Sequence, residues 1–134
     1  HVEARQRGVD VKAMLAAFPN DMPISRYASI HCYGTLLEAG IEIYEYERTM
    51  LHQKTMVVDG IWATIGTTNF DNRSFALHEE SNVCVYDTRL AQHLETIFLE
   101  DLKHCDRVTF DEWRHRGLKT RVFGATCVFL KEQI

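Results

Sequence analysis

The chain has no excess of positive charge. Its 15 lysines and arginines stand against 19 aspartates and glutamates in 134 residues, a formal net charge of −4. It therefore lacks the basic field that drives non-specific nucleic-acid binding, which disfavours a nucleic-acid partner. It has no close cysteine pair either. Cys32, Cys84, Cys105 and Cys127 lie far apart, which argues against a zinc site or a dithiol redox motif. They read as reduced, mostly buried thiols in a reducing compartment. No apolar run approaches the roughly 20 residues of a membrane-spanning helix, and no signal-peptide pattern is present. Internal repeats and low-complexity segments are absent as well. What remains is the composition of a globular domain, 46% hydrophobic and 25% charged, in a chain long enough to bury a core.

Residues 1–7 read as the last turns of a helix stopped by Gly8, followed by a strand over residues 9–15. A helix, a glycine and a strand in that order are half of a β-α-β unit, so a partly parallel sheet is expected, with a first strand and helix preceding His1. Pro19, Asn20, Asp21 and Pro23 suggest a loop, and Ser25 an N-cap for a helix running to Ala39 and closed by Gly40. Tyr27, Ile30 and Leu37 give that helix an apolar side. Residues 41–46 alternate as a strand, and residues 80–86 form another. Asp87 then caps a helix in which Leu90, Leu94, Ile97, Phe98 and Leu102 recur at helical spacing. His93 and His104 on it read as surface residues. Thr109 to Glu112 is a capping-box pattern opening a short helix that carries Trp113.

The chemistry concentrates at residues 51–70. Thr55–Val58 and Ile61–Ile65 are two β-rich runs separated by Asp59-Gly60, a strong hairpin signal. Residues two apart on a strand share a face, which points the His52 imidazole and the Lys54 ammonium into one site. Gly66-Thr67-Thr68-Asn69 ends the second strand in a turn that brings a hydroxyl and a carboxamide beside them. A neutral imidazole can attack phosphorus or protonate a leaving oxygen, while an ammonium and an amide steady charge on the non-bridging oxygens. That set suits a phosphate and requires neither metal nor cofactor. A lone His-x-Lys is more often an exposed pair on an edge strand, so the downstream residues decide.

The spacing His-x-Lys-x4-Asp-x6-Gly-Thr-x-Asn, from His52 through Asp59 and Gly66 to Asn69, resembles the signature of the phospholipase D superfamily. Phe70 to Glu79, followed by Glu80, resembles the segment that carries an acidic residue behind the histidine in that family. Tyr27 to Tyr46 is similar to the C-terminal catalytic domain of bacterial cardiolipin synthases, and the likeness extends over residues 4–116.

This resemblance implies an α/β fold with a mixed β-sheet flanked by helices, in one phospholipase D-like domain over residues 1–116. It implies phosphatidyl transfer through a phosphohistidine, with a phospholipid substrate, phosphatidylglycerol foremost. A phospholipase or nuclease of the same superfamily, or a non-catalytic binding domain, is the alternative. His52 would be nucleophile or general acid. Lys54 and Asn69 would hold phosphate oxygens, and Thr67 stands where the family often has serine. Glu80, favoured over its neighbour Glu79, would accept from the other ring nitrogen of His52. Asp59, Gly60 and Gly66 read as structural, since seven extended residues separate Asp59 from His52 by roughly 20 Å. The mechanism needs a second histidine, from an upstream half of the same chain or from a homodimer partner. The tandem arrangement is expected, with this domain as the C-terminal copy on the cytoplasmic side of a membrane. Residues 117–134 form a separate tail. Around its start, Arg107, Arg114, Arg116, Lys119 and Arg121 precede the apolar run 122–130, a segment suited either to packing or to an anionic membrane surface.

Overall fold

The computed structural model describes residues 1–17, 23–68, 80–117, 120 and 126. The chain divides into two compact units. One comprises His1–Leu51 with His104–Ile134, and the other His52–Lys103.

In the first unit, α1 (Val2–Gln6) leads into β1 (Lys12–Ala16), α2 (Pro23–Glu38) and β2 (Glu42–Tyr46). β1 and β2 are parallel, with Lys12 opposite Glu42 and Ala16 opposite Tyr46. β1, α2 and β2 form a parallel crossover with α2 as its connecting helix, which makes the sheet partly parallel as expected, though through a later helix than the one the helix, glycine and strand pointed to. Helix α2 starts at Pro23, where a missing N–H costs nothing in the first turn. Pro23 is therefore helical rather than part of the loop, and Ser25 lies inside the helix instead of capping it. The expected loop residues Pro19 to Asp21 lie outside the described residues. The helix closes in a Schellman arrangement: Gly40, at φ 83, donates to the Leu37 carbonyl at 2.9 Å, and Ile41 to that of Leu36 at 3.0 Å.

Strand β6 (Cys105–Val108) pairs antiparallel with β2, Ile43 opposite Val108, which completes a mixed sheet in the order β1-β2-β6. Alternation on the central strand sends Ile43 inward, where it is fully buried with Tyr33 and Ile41 against Leu15, Ile30, Leu37, Val108 and Trp113. Full burial of one such side chain is worth about 1.5–3 kcal/mol. Tyr33 belongs to this core, and its hydroxyl donates to Glu45 Oε1 at 3.2 Å. On the opposite face Glu42 gathers Arg107 (2.9 Å), Lys12 (3.8 Å) and the Tyr44 hydroxyl (2.8 Å). Burial and the Glu42 carboxylate hold the Tyr44 phenol above its usual pKa.

Helix α4 (Phe110–Arg114) begins with the capping box that the sequence signalled: Thr109 Oγ1 accepts from the Glu112 N–H, and the Glu112 carboxylate from the Thr109 N–H. The Trp113 indole N–H donates to the Ile30 carbonyl at 2.6 Å, and the Arg116 guanidinium stacks 3.9 Å above the ring. Two of the five basic residues near the tail, Arg107 and Arg116, are thus engaged within the domain. Most of the segment 117–134, including the apolar run 122–130, lies outside the described residues.

The second unit is an antiparallel meander of β3 (Lys54–Val58), β4 (Trp62–Gly66) and β5 (Asn82–Tyr86), followed by α3 (Thr88–Leu102). The strands thus fall into two three-stranded sheets, of which the first is mixed. The hairpin turn is the one Asp59-Gly60 demands. Both residues have positive φ, 52 and 62, and the Ile61 N–H returns to the Val58 carbonyl at 3.1 Å. Two consecutive left-handed residues match the twist of the flanking strands. Asp87 Oδ1 caps α3 through the Leu90 N–H at 2.9 Å. Helix α3 lies on β3 and β4, with Ala91 fully buried, as is Ala63. Ile97, expected inside, is 42% exposed. The cysteines differ from expectation too. Cys32 and Cys84 are exposed and Cys105 is half-buried; Cys84 lies on the outer strand β5, where its thiol donates to Thr64 Oγ1.

Candidate active site

Register decides which residues meet. Lys54 pairs with Gly66 and Gly66 with Asn82, so the start of β3, the end of β4 and the start of β5 form one end of the sheet. His52 immediately precedes that row, and Thr67, Thr68 and Glu80 adjoin it. Five residues singled out from sequence, His52, Lys54, Gly66, Thr67 and Glu80, therefore come from three separate segments to a single sheet end. Asp59 and Gly60 sit at the opposite end, beyond the Val58–Trp62–Tyr86 row, roughly 13 Å of strand away. Asn69, Glu79 and the stretch 70–78 lie outside the described residues.

The local geometry differs from the simple alternation argument in one respect. Strand β3 begins at Lys54, and His52 is exposed on the segment ahead of it. What links the pair is a hydrogen bond: the Lys54 ammonium donates to the His52 carbonyl at 2.7 Å. The cation is held at the sheet end by the backbone of the very residue whose imidazole is the candidate nucleophile. Likewise β5 begins at Asn82, so Glu80 is placed by the segment before the strand and is half-buried there.

Gly66 is required by space. A Cβ there would run into Asn82 Oδ1 and the Ser81 carbonyl. Room for that approach lets the chain after β4 bind the chain before β5. The Thr67 N–H donates to the Ser81 carbonyl, and the Ser81 N–H to Thr67 Oγ1, both at 3.1 Å. The Thr68 N–H donates to Asn82 Oδ1 at 3.4 Å. Since Thr67 Oγ1 accepts, the hydroxyl keeps its own proton to donate. Sequence reasoning missed Ser81 and Asn82, because in a polar lead-in to a strand neither stands out by type. Among the described residues no group of three or more histidines, cysteines, aspartates and glutamates is placed to hold a metal ion.

Chemically, this end of the sheet offers an exposed imidazole, an ammonium, a hydroxyl and a carboxylate around a glycine-floored turn. Those are the parts needed to hold a phosphate and to exchange a group at phosphorus.

The fold is that of the phospholipase D family. A solved structure titled as a phospholipase D family member, Nuc from Salmonella typhimurium, superposes with a TM-score of 0.71 at 23% identity, over 81% of this chain and 70% of that one. The family described as "Cardiolipin synthase, PLD-like domain" matches residues 2–102. Cardiolipin synthase of Halalkalibacterium halodurans is 40% identical over 123 residues, 92% of this chain and 24% of that protein. That of Geobacillus kaustophilus is 42% identical over 115 residues, 86% of this chain and 23% of that protein. The chain belongs to this PLD-like domain family, and it spans about a quarter of the length of these curated relatives.

Proposed function

We propose that the chain is a catalytic domain of a phosphatidyltransferase of the cardiolipin synthase type, acting on a phospholipid, with phosphatidylglycerol as the favoured substrate. The observation that carries this reading is the convergence of His52, Lys54, Gly66, Thr67 and Glu80 at one sheet end, in a chain about 40% identical to cardiolipin synthases. An imidazole nitrogen of His52 attacks phosphorus. A P–N bond forms while the P–O bond to the leaving alcohol breaks, and a second imidazole gives that oxygen its proton. An incoming alcohol then attacks the phosphohistidine, its oxygen replaces nitrogen on phosphorus, and its proton passes to the second imidazole. His52 exchanges roles with its partner if it is the general acid. Lys54, together with Asn69, steadies the non-bridging oxygens, and Glu80 fixes the His52 tautomer.

The second imidazole comes from an upstream half of the same chain, or from an identical subunit across a two-fold axis. In this reading residues 1–116 are one domain, the C-terminal copy, working at the cytoplasmic face of a membrane. No helix among the described residues is long and apolar enough to cross one. The test is to incubate the complete protein with radiolabelled phosphatidylglycerol in anionic vesicles and quench rapidly in alkali. Acid-labile label on His52 and diphosphatidyl product are expected. Free phosphatidic acid alone would assign hydrolysis, cleavage of DNA instead would assign a nuclease, and absence of all three would leave a binding domain.

A further inference from the structure

Asn82 opens β5 next to Gly66, which in turn lies next to Lys54. Directly paired residues on neighbouring strands share a face, so Lys54 and Asn82 flank a position that has no side chain. Two inter-strand spacings separate their backbones by roughly 10 Å. Asn82 narrows that gap, because its carboxamide leans into the space that a Cβ on residue 66 would occupy. The amide is also oriented: Oδ1 accepts the Thr68 N–H at 3.4 Å, and among the described residues no acceptor takes its Nδ2. A carboxamide with its oxygen engaged has two N–H donors left, here at the sheet end where His52 and Lys54 meet.

We propose that Asn82 is a further substrate-contacting residue, whose Nδ2 donates to a non-bridging phosphate oxygen from across Gly66 while the Lys54 ammonium serves the other side. The inference rests on the phosphodiester reading of this site. It gives Gly66 a second use beyond letting the chain through: it clears the floor over which a cation and a neutral donor, both pre-positioned, converge on one anion. The competing role is purely local, with Asn82 holding the turn through the Thr68 N–H and touching nothing else.

Titration of the 134-residue chain with inorganic phosphate, followed by 15N NMR, separates the two. The Asn82 side-chain amide signals are expected to shift along the same binding curve as the backbone amides of His52 and Lys54. Asn82→Asp retains an oxygen for the Thr68 N–H and removes both donors. It should weaken phosphate at least tenfold, as should Asn82→Ala, in line with hydrogen bonds to charged groups. The Thr68 amide shift, unchanged in Asn82→Asp, reports that the turn is intact. If His52 and Lys54 respond while the Asn82 amide stays still and Asn82→Asp binds as the parent does, Asn82 is only a turn residue. If His52 and Lys54 do not respond, the phosphate reading of the site falls and this inference with it.

Discussion

Position 66 shows how a single residue governs the candidate site, since what matters there is the missing side chain. The motif letters around it were legible. His52, Lys54, Gly66 and Thr67 were identified by spacing, and the pairing of β3 with β4 brings them together because the hairpin turn sets the register. Less legible was how each is held. Alternation placed His52 on the strand, but the strand starts two residues later, and the link to Lys54 runs through a backbone carbonyl. Asn82 was invisible for another reason: its role depends on cross-strand neighbours that no local pattern encodes. For Glu80 the family resemblance supplies the role, and the structure supplies half-burial beside the sheet end. Replacing Glu80 by Gln is expected to preserve the fold and to lower transferase activity of the complete protein by roughly 10- to 100-fold, the usual cost of losing a carboxylate behind a catalytic histidine. Circular dichroism and initial rates measure the two. Full activity in Glu80→Gln together with loss in Glu79→Gln would transfer the role to Glu79.

Among the elements, most chemically specific end signals were read correctly from sequence, the Ser25 cap being an exception because α2 starts at Pro23, whereas a strand defined by its partner was not. The Asp59-Gly60 turn, the Asp87 cap and the Thr109–Glu112 box each require particular residues at fixed offsets. Strand β6, Cys-Asp-Arg-Val, has no alternating pattern; it exists because β2 offers an open edge and Arg107 reaches Glu42. The capping box has a pH signature. Hydrogen bonds from the Thr109 hydroxyl, and then from its backbone N–H, hold the Glu112 carboxyl below its ordinary pKa. A group whose pKa is lowered on folding stabilises above its unfolded value, and that contribution is lost as pH falls through the folded value. Asp10, held low by Lys12, has the same sign. The parent chain should therefore lose more stability than Glu112→Ala between about pH 5 and about pH 3, because only the parent has this carboxylate to titrate. Denaturation midpoints followed by Trp fluorescence across that range test it. Parallel curves for the two proteins would mean that the box does not couple protonation to folding.

The whole molecule raises a question of completeness. A displacement at phosphorus through a covalent histidine needs two imidazoles, one to attack and one to protonate the departing oxygen, and one side chain cannot occupy both in-line positions. The second unit supplies one such residue, His52. His93, on the same unit, is exposed on α3 and lies outside the motif. The remaining histidines, His1, His31, His78, His104 and His115, have no lysine two residues on and no Gly-Thr-x-Asn companion. Under the proposed mechanism a partner histidine would come from another polypeptide segment, and relatives about four times as long as this chain favour a tandem second copy as its source. The 134-residue chain alone is expected to show negligible turnover of phosphatidylglycerol, with activity returning when the complementing half is supplied. Initial rates measured across a range of protein concentrations, with light scattering on the same samples, decide between the arrangements. Rates rising with the square of concentration would assign the second imidazole to an identical subunit, because two chains must then meet to build one site. Robust turnover by a species shown to be monomeric would overturn the two-imidazole requirement, and with it the proposal that His52 works with a partner from outside this chain.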